Sequence, residues 1–326
     1  MAESKYKKIL IVRTGAIGDV VHTSALYHAI KKKYPDTIIH YMTSEIIAPL
    51  LIEDKNIEKV LTINPKFSLF SKYAKDKLKE IRDENYDLVI NMHHSLKFIV
   101  FTFLGRIKKQ LYYRKIKKIH CVKNFWMLGK RVFPEIEEEK DLKLYLPKKS
   151  TEKAREITKD YKHPIFVINA GGVFAKRQGR TYPVDKWIEL GKKIQEKYDG
   201  TVILNGAEED KEVLNPLKEI PNCFNFIGKL SLEDSCALIG QADVMISGDS
   251  GPLHIATALG VKCIGLYGSM PSHRTGCYSN GINIISKDKC VPCDRRRCMF
   301  LKNSKKLYTP CMEHISVDEI LEHIKI

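Results

Sequence analysis

Between Met92 and Pro134 the sequence contains no aspartate or glutamate. The same stretch carries eleven cations, Lys97, Arg106, Lys108, Lys109, Arg114, Lys115, Lys117, Lys118, Lys123, Lys130 and Arg131, so the lack of acid is a local block rather than an even dilution. Over all 326 residues, 55 Lys and Arg stand against 39 Asp and Glu, a formal net charge of +16. Such an excess points to an anionic partner: nucleic acid, a phosphorylated metabolite or a membrane surface. Phe98, Ile99, Phe101, Phe103, Leu104, Tyr112, Tyr113, Phe125 and Trp126 interleave the cations. That mixture suits lipid headgroups or a nucleic-acid backbone. The plainer reading is a solvated basic face over buried aromatics.

Long apolar runs are missing as well. The longest without charge, FIVFTFLG at 98–105, is far below the ~20 residues that span a bilayer. The opening MAESKYKKILIV lacks the longer apolar segment and cleavage site of a secretory signal. The expectation is a cytoplasmic protein, attached to a membrane peripherally if at all. Nine cysteines spread over so long a chain do not resemble the dense framework of a small secreted domain, and most are expected to be reduced. Neither G-x-G-x-x-G nor a Walker A loop follows the first apolar run, which weakens a dinucleotide oxidoreductase. No RNA- or DNA-binding motif accompanies the charge.

What is present is alternation. Residues 7–13 (KKILIVR), 37–43, 58–63 and 86–92 read as strands, with helical spacing after the first (Val20, Val21, Leu26, Tyr27, Ile30) and a charged helix near 71–84. After a charged stretch from Lys148 to Lys162, read as helix and hinge, the pattern restarts with strands in 164–172, 201–210, 223–228 and 243–251 and a helix from Pro183 to about Lys197. Ser316 with Glu319 three residues on caps a final helix. Strands alternating with helices imply parallel sheets covered on both faces. Two similar α/β domains are expected, 1–155 and 156–326, with ligands outside the carboxyl ends of the strands.

The loops that would meet such ligands are distinctive in sum. In GAIGDVVHTS, Asp19 falls at a helix start, where exposed backbone N–H groups favour an acid; a capping role alone would account for it. In ISGDSGPLHIATALG, Asp249, Ser250 and Gly251 open a helix directly after an apolar strand, a place where small residues let a phosphate approach the N–H groups. His254 sits one turn in, able to donate to the same anion or to serve structure only. AGGVFAKRQGR supplies Gly171 and the cations Lys176 and Arg180, a clamp for a diphosphate. Glu208, in GAEED after the next strand, either holds a sugar or ribose hydroxyl or caps the helix that follows.

KILIVRTGAIGDVVHTSAL, the AGG loop, NGAEED and SGDSGPLHIATALGVKCIGLYG together resemble glycosyltransferase family 9, the ADP-heptose:lipopolysaccharide heptosyltransferases, over nearly the whole chain. The resemblance implies a GT-B fold, two Rossmann-like parallel-sheet domains facing a central cleft, with an acceptor-binding first domain and a nucleotide-sugar-binding second one. It implies inverting transfer with no cofactor required for catalysis. Asp19 matches the family's general base. Asp249, Ser250, Gly251 and His254 match D-[ST]-G-x-x-H, Glu208 matches its acidic residue, and Arg180 or Lys176 takes the place of its lysine, with Gly171 beside them. Gly18, His93, His94 and Lys97 are the implied acceptor residues. There NMHHSLK departs from D-x-Q-G-L-x-K, with His93 and His94 standing for Gln and Gly.

Cys290, Cys293, Cys298 and Cys311, spaced C-x2-C-x4-C-x12-C, come close to zinc patterns. Such cysteines occur in members of the family, so a structural zinc or iron is one expectation and a group of reduced thiols the other. The leading reading is heptose transfer from ADP-heptose to a lipopolysaccharide inner-core acceptor (Kdo or heptose), at the inner face of the cytoplasmic membrane and with its anionic surface as partner. A family 9 transferase acting on another glycan or on a protein is the alternative. A basic nucleic-acid-binding protein comes last, because it leaves the two phosphate-binding loops unexplained.

Overall fold

The computed structural model describes residues 3–171, 180–295, 298–301 and 308–326. Contacts divide the chain into two compact units, Met1–Tyr145 and Leu146–Ile326. The division falls ahead of the expected boundary at 155. The helix after it, Lys148–Thr158, goes with the second unit, where it buries Ala154 and pairs Lys153 with Asp234.

The first unit runs β1 (Lys8–Val12), α1 (Ile17–His22), α2 (Ser24–Lys33), β2 (Ile38–Thr43), β3 (Lys59–Thr62), α3 (Lys72–Asp83), β4 (Leu88–Asn91), α4 (Leu96–Leu104), β5 (Lys109–Tyr112) and α5 (Cys121–Lys130). Its sheet is parallel throughout, in the order β3-β2-β1-β4-β5. Ile9, Leu10, Ile11 and Val12 are fully buried, as the continuous apolar run of a central parallel strand requires. The stripe Val20, Val21, Leu26, Tyr27 and Ile30 is buried as its spacing predicts, but on two helices: Thr23, whose hydroxyl donates to the Val20 carbonyl, forms the joint. Ser71 caps α3 by accepting from Ala74 N–H at 3.1 Å, and Ala74, Leu78 and Ile81 face the core. β5 lies inside the basic block, where flanking cations hide an edge strand from sequence patterning.

The second unit runs α6 (Lys148–Thr158), β6 (Ile165–Asn169), α7 (Val184–Tyr198), β7 (Thr201–Leu204), α8 (Lys211–Leu214), β8 (Cys223–Asn225), α9 (Leu232–Ile239), β9 (Val244–Gly248), α10 (Gly251–Ala258), β10 (Lys262–Tyr267), α11 (Ser272–Thr275), β11 (Gly281–Ile285), α12 (Pro310–Glu313) and α13 (Val317–Glu322). This sheet is also parallel, ordered β11-β10-β9-β6-β7-β8. Trp187, Leu190 and Ile194 of α7 join β6, β7 and β9 in its core. Ser316 caps α13 through Glu319 N–H, as its sequence predicts.

In both units the strand order reverses beside the first strand, between β1 and β4 and between β6 and β9. Crevices at the carboxyl ends of such pairs are where open α/β sheets take ligands. The residues following β1, β4, β6 and β9 are therefore the ones that matter.

Candidate active site

At the first switch point, Asp19 occupies the third position of α1. Its carboxylate accepts from Ala16 N–H at 3.3 Å, the capping contact, and also pairs with the Arg13 guanidinium. Arg13 is buried and donates from Nη1 to the Met92 carbonyl, so it ties the end of β1 to the end of β4. The Asp19 side chain stays 35% exposed. A cap with no other part to play needs no buried arginine behind it; this carboxylate is held in place and still reaches solvent.

His93 and Lys97 both make bonds within the unit. Thr14 N–H donates to His93 Nε2 at 2.8 Å, which fixes the proton of the neutral ring on Nδ1, and the ring stacks on Phe98 with centroids 4.1 Å apart. Desolvation and the nearby Arg13 charge push its pKa down to about 3. Lys97 donates to the carbonyls of Pro65 and Phe67 and lies over the Phe67 ring. Gly18 is buried in α1, and His94 is exposed on the loop after β4. The structure thus gives His93 and Lys97 bracing contacts and leaves His94 facing solvent.

At the second switch point, Arg180 Nη1 donates to Asp249 Oδ2 at 3.1 Å, and His254 Nε2 lies 3.8 Å from Asp249 Oδ1. The Asp249 carboxylate therefore holds two of the predicted anion-binding side chains in one place. Ser250 is the N-cap of α10, but its hydroxyl turns to Ser247 at 2.8 Å and makes no capping bond to the helix. The first turn of α10, from Gly251, keeps N–H groups for an anion. Gly171, after β6, has φ of +83° and donates its N–H to Asn169 Oδ1. Lys176 lies outside the described residues.

Asp210, not Glu208, caps the turn, accepting from Ala207 N–H at 3.2 Å. The Glu208 side chain is 66% exposed beside Lys211, at the carboxyl end of β7. Gly228 lies directly against it: a Cβ there would stand 2.3 Å from Glu208 Oε2.

Sequence reasoning missed Arg13, Thr14 and a polar layer under the second switch point. Asn169 donates to the Asn205 carbonyl, Asn205 Oδ1 accepts from Ser235, and Ser247 bridges Asn169 and Ser250. The signal was available: β4 and β6, otherwise apolar, end on Asn91 and Asn169, and β9 carries Ser247 one residue before its end, all three buried. Amides and hydroxyls at such positions orient the loops that follow.

Among the described residues the tail cysteines do not bring three thiols within 4.8 Å of one another, although Cys290 and Cys298 act electrostatically on Cys311. Among the described residues, the His, Cys, Asp and Glu side chains that bring three ligand atoms within 4.8 Å of one another are His22, His120 and Cys121. Cys311 is buried against Thr309, with its thiol pKa raised by burial, while Cys290 is exposed on the loop after β11 and Cys293 and Cys298 are half-buried.

The chain is 25% identical over 307 residues to lipooligosaccharide heptosyltransferase 2 of Haemophilus influenzae, covering 85% of this chain and 88% of the relative. A family 9 glycosyl transferase of Veillonella parvula superposes with a TM-score of 0.80 at 18% identity, over 99% of this chain and 97% of the other. ADP-heptose LPS heptosyltransferase II of E. coli superposes with a TM-score of 0.77 at 19% identity, over 97% of both chains. Two parallel-sheet α/β units of this kind make the GT-B fold that the sequence predicted. The family profile described as glycosyltransferase family 9 (heptosyltransferase) matches residues 76–303, and with the paired switch-point loops in place the chain belongs to that family and is a glycosyltransferase.

Proposed function

We propose that the enzyme moves heptose from ADP-heptose to a lipopolysaccharide inner-core acceptor by a single displacement that inverts the anomeric centre. The observation that carries this reading is the division of labour between the switch points. A partly exposed, arginine-held carboxylate follows β1, and an anion cradle of Arg180, Asp249, His254 and the α10 start follows β9. The acceptor hydroxyl attacks the anomeric carbon as its proton passes to Asp19, and the sugar–phosphate C–O bond breaks with its electrons leaving on ADP. Charge grows on the diphosphate as it departs. Arg180, the α10 N–H groups and Lys176 stabilise it there, and no metal ion enters the step. Glu208, freed from capping by Asp210, takes a ribose hydroxyl.

The acceptor lies at an anionic membrane in this reading. Arg106, Lys108, Lys109, Arg114, Lys118 and Arg131 are exposed, and Leu96, Phe103, Ile116 and Met127 stand exposed among them. Phe98, Phe101 and Phe125 are buried, so the block combines a core-packed inner face with a basic, apolar-tipped outer one. Among the described residues no helix is long and apolar enough to cross a bilayer. Attachment would be peripheral, at the inner face of the cytoplasmic membrane.

Product mass after incubation with ADP-heptose and a panel of truncated lipopolysaccharide acceptors tests the proposal. One heptose added to a Kdo- or heptose-terminated acceptor is expected. Transfer to a different glycan or to a protein alone would overturn the acceptor assignment.

A further inference from the structure

The His22, His120 and Cys121 cluster lies between α1 and α5 and has no part in the transfer chemistry above. His22 ends α1, His120 is the N-cap of α5 and Cys121 is its first residue. Cys121 Sγ stands 3.0 Å from His22 Nδ1 and 3.9 Å from His120 Nδ1, and the two imidazoles meet edge to face with centroids 5.5 Å apart. A tetrahedral ion bound at about 2.3 Å to a thiolate and about 2.0–2.1 Å to an imidazole holds sulfur and nitrogen roughly 3.5 Å apart. The two observed sulfur–nitrogen spacings fall on either side of that value, and all three ligand atoms lie within 4.8 Å of one another, so side-chain shifts would bring them onto one centre.

We propose that His22, His120 and Cys121 bind a zinc ion, with water as the fourth ligand, and that the ion pins the start of α5 to the end of α1. Two imidazole nitrogens and a thiolate suit zinc, whereas Mg²⁺ and Ca²⁺ seek oxygen ligands that this set lacks. His120 Nδ1 accepts from Val122 N–H at 3.3 Å, a long cap bond that ligation would replace. His22 and Cys121 are buried and His120 is half-buried, which leaves one open side for the ion to enter. The helix fixed in this way carries Asp19 one turn before His22, but the proposal does not depend on what Asp19 does.

Cobalt(II) serves as the probe, added to the full chain after chelator treatment. We expect one equivalent to give a near-ultraviolet thiolate-to-cobalt charge-transfer band with the visible bands of a four-coordinate ion, displaced by Zn²⁺ and indifferent to Mg²⁺. Cys121→Ala and His120→Ala should each abolish the band. A Cys290→Ser, Cys293→Ser, Cys298→Ser triple variant, which disables the tail cysteines, should keep it. Because His120 is half-buried and at a helix start, its variant should fold, as circular dichroism would verify. Zn²⁺ should then raise the Tm of the wild type and not that of His120→Ala. The proposal fails if no band appears, if the band survives either Cys121→Ala or His120→Ala, or if it is lost in the tail variant.

Discussion

Arg13 is the residue that sets the state of its neighbours. Its guanidinium joins the Asp19 carboxylate to the Met92 carbonyl, and its charge adds to burial in holding the His93 ring neutral. In the unfolded chain His93 regains an ordinary pKa near ~6.5. Between that value and its folded value of about 3, the unfolded state binds a proton that the folded state refuses. The folded protein is therefore favoured fully above pH ~6.5 and loses stability progressively as the pH falls toward the folded value. From pH 7 to 5 one such group costs about 2 kcal/mol. His93→Gln keeps an acceptor for Thr14 N–H without the titration. The Tm drop between pH 7 and 5 should shrink in this variant; equal drops in both proteins would show that His93 does not titrate in that window.

At the scale of elements, the C-terminal ends of the strands decide what each loop can hold. The turn after β7 keeps Glu208 exposed because Gly228, with φ of +65°, lets the neighbouring backbone pass against it. Gly228→Ala combines that backbone conformation, costing about 1–3 kcal/mol for a residue with a Cβ, with an overlap on Glu208. We expect ADP-heptose affinity measured by calorimetry to fall while the circular dichroism spectrum is kept; unchanged affinity would remove Glu208 from the donor site. The central strands, both switch-point loops and the Ser316-capped helix were legible in sequence because each rests on local chemistry: unbroken apolar runs, glycines at loop starts, and a serine three residues before the N–H it binds. β5 and β11 were not legible: cations flank β5 and open it at Lys109, and in β11, GINII, a glycine and Asn283 break a short apolar run. Nor was the bracing role of His93 and Lys97. Their partners Thr14, Pro65 and Phe67 lie far away in sequence. Among the tail cysteines, Cys311 is buried in α12 and Cys290 is exposed on a loop, yet the Cys290 and Cys298 thiols stand near enough to add to burial in raising the Cys311 pKa.

At the scale of the whole molecule, the net charge of +16 is concentrated where the first unit also exposes apolar side chains. Each exposed cation near an anionic bilayer contributes about 1 kcal/mol, fading within a Debye length. Reversing Lys108, Lys109, Lys117 and Lys118 to Glu should release the enzyme from anionic vesicles in flotation and raise KM for a membrane-embedded acceptor, while sparing turnover on a delipidated one. Unchanged flotation, or an equal loss with both acceptors, would contradict membrane docking. The central claim is that the first unit supplies the base and the second unit the donor site. Asp19→Asn tests it most directly, because the amide oxygen can still accept from Ala16 N–H and so keep the capping contact while proton uptake is lost. Turnover of this variant at saturating ADP-heptose should fall by roughly 10²–10⁴, with donor affinity close to wild type and the circular dichroism spectrum kept. Turnover equal to wild type would leave Asp19 as a helix cap and contradict the account.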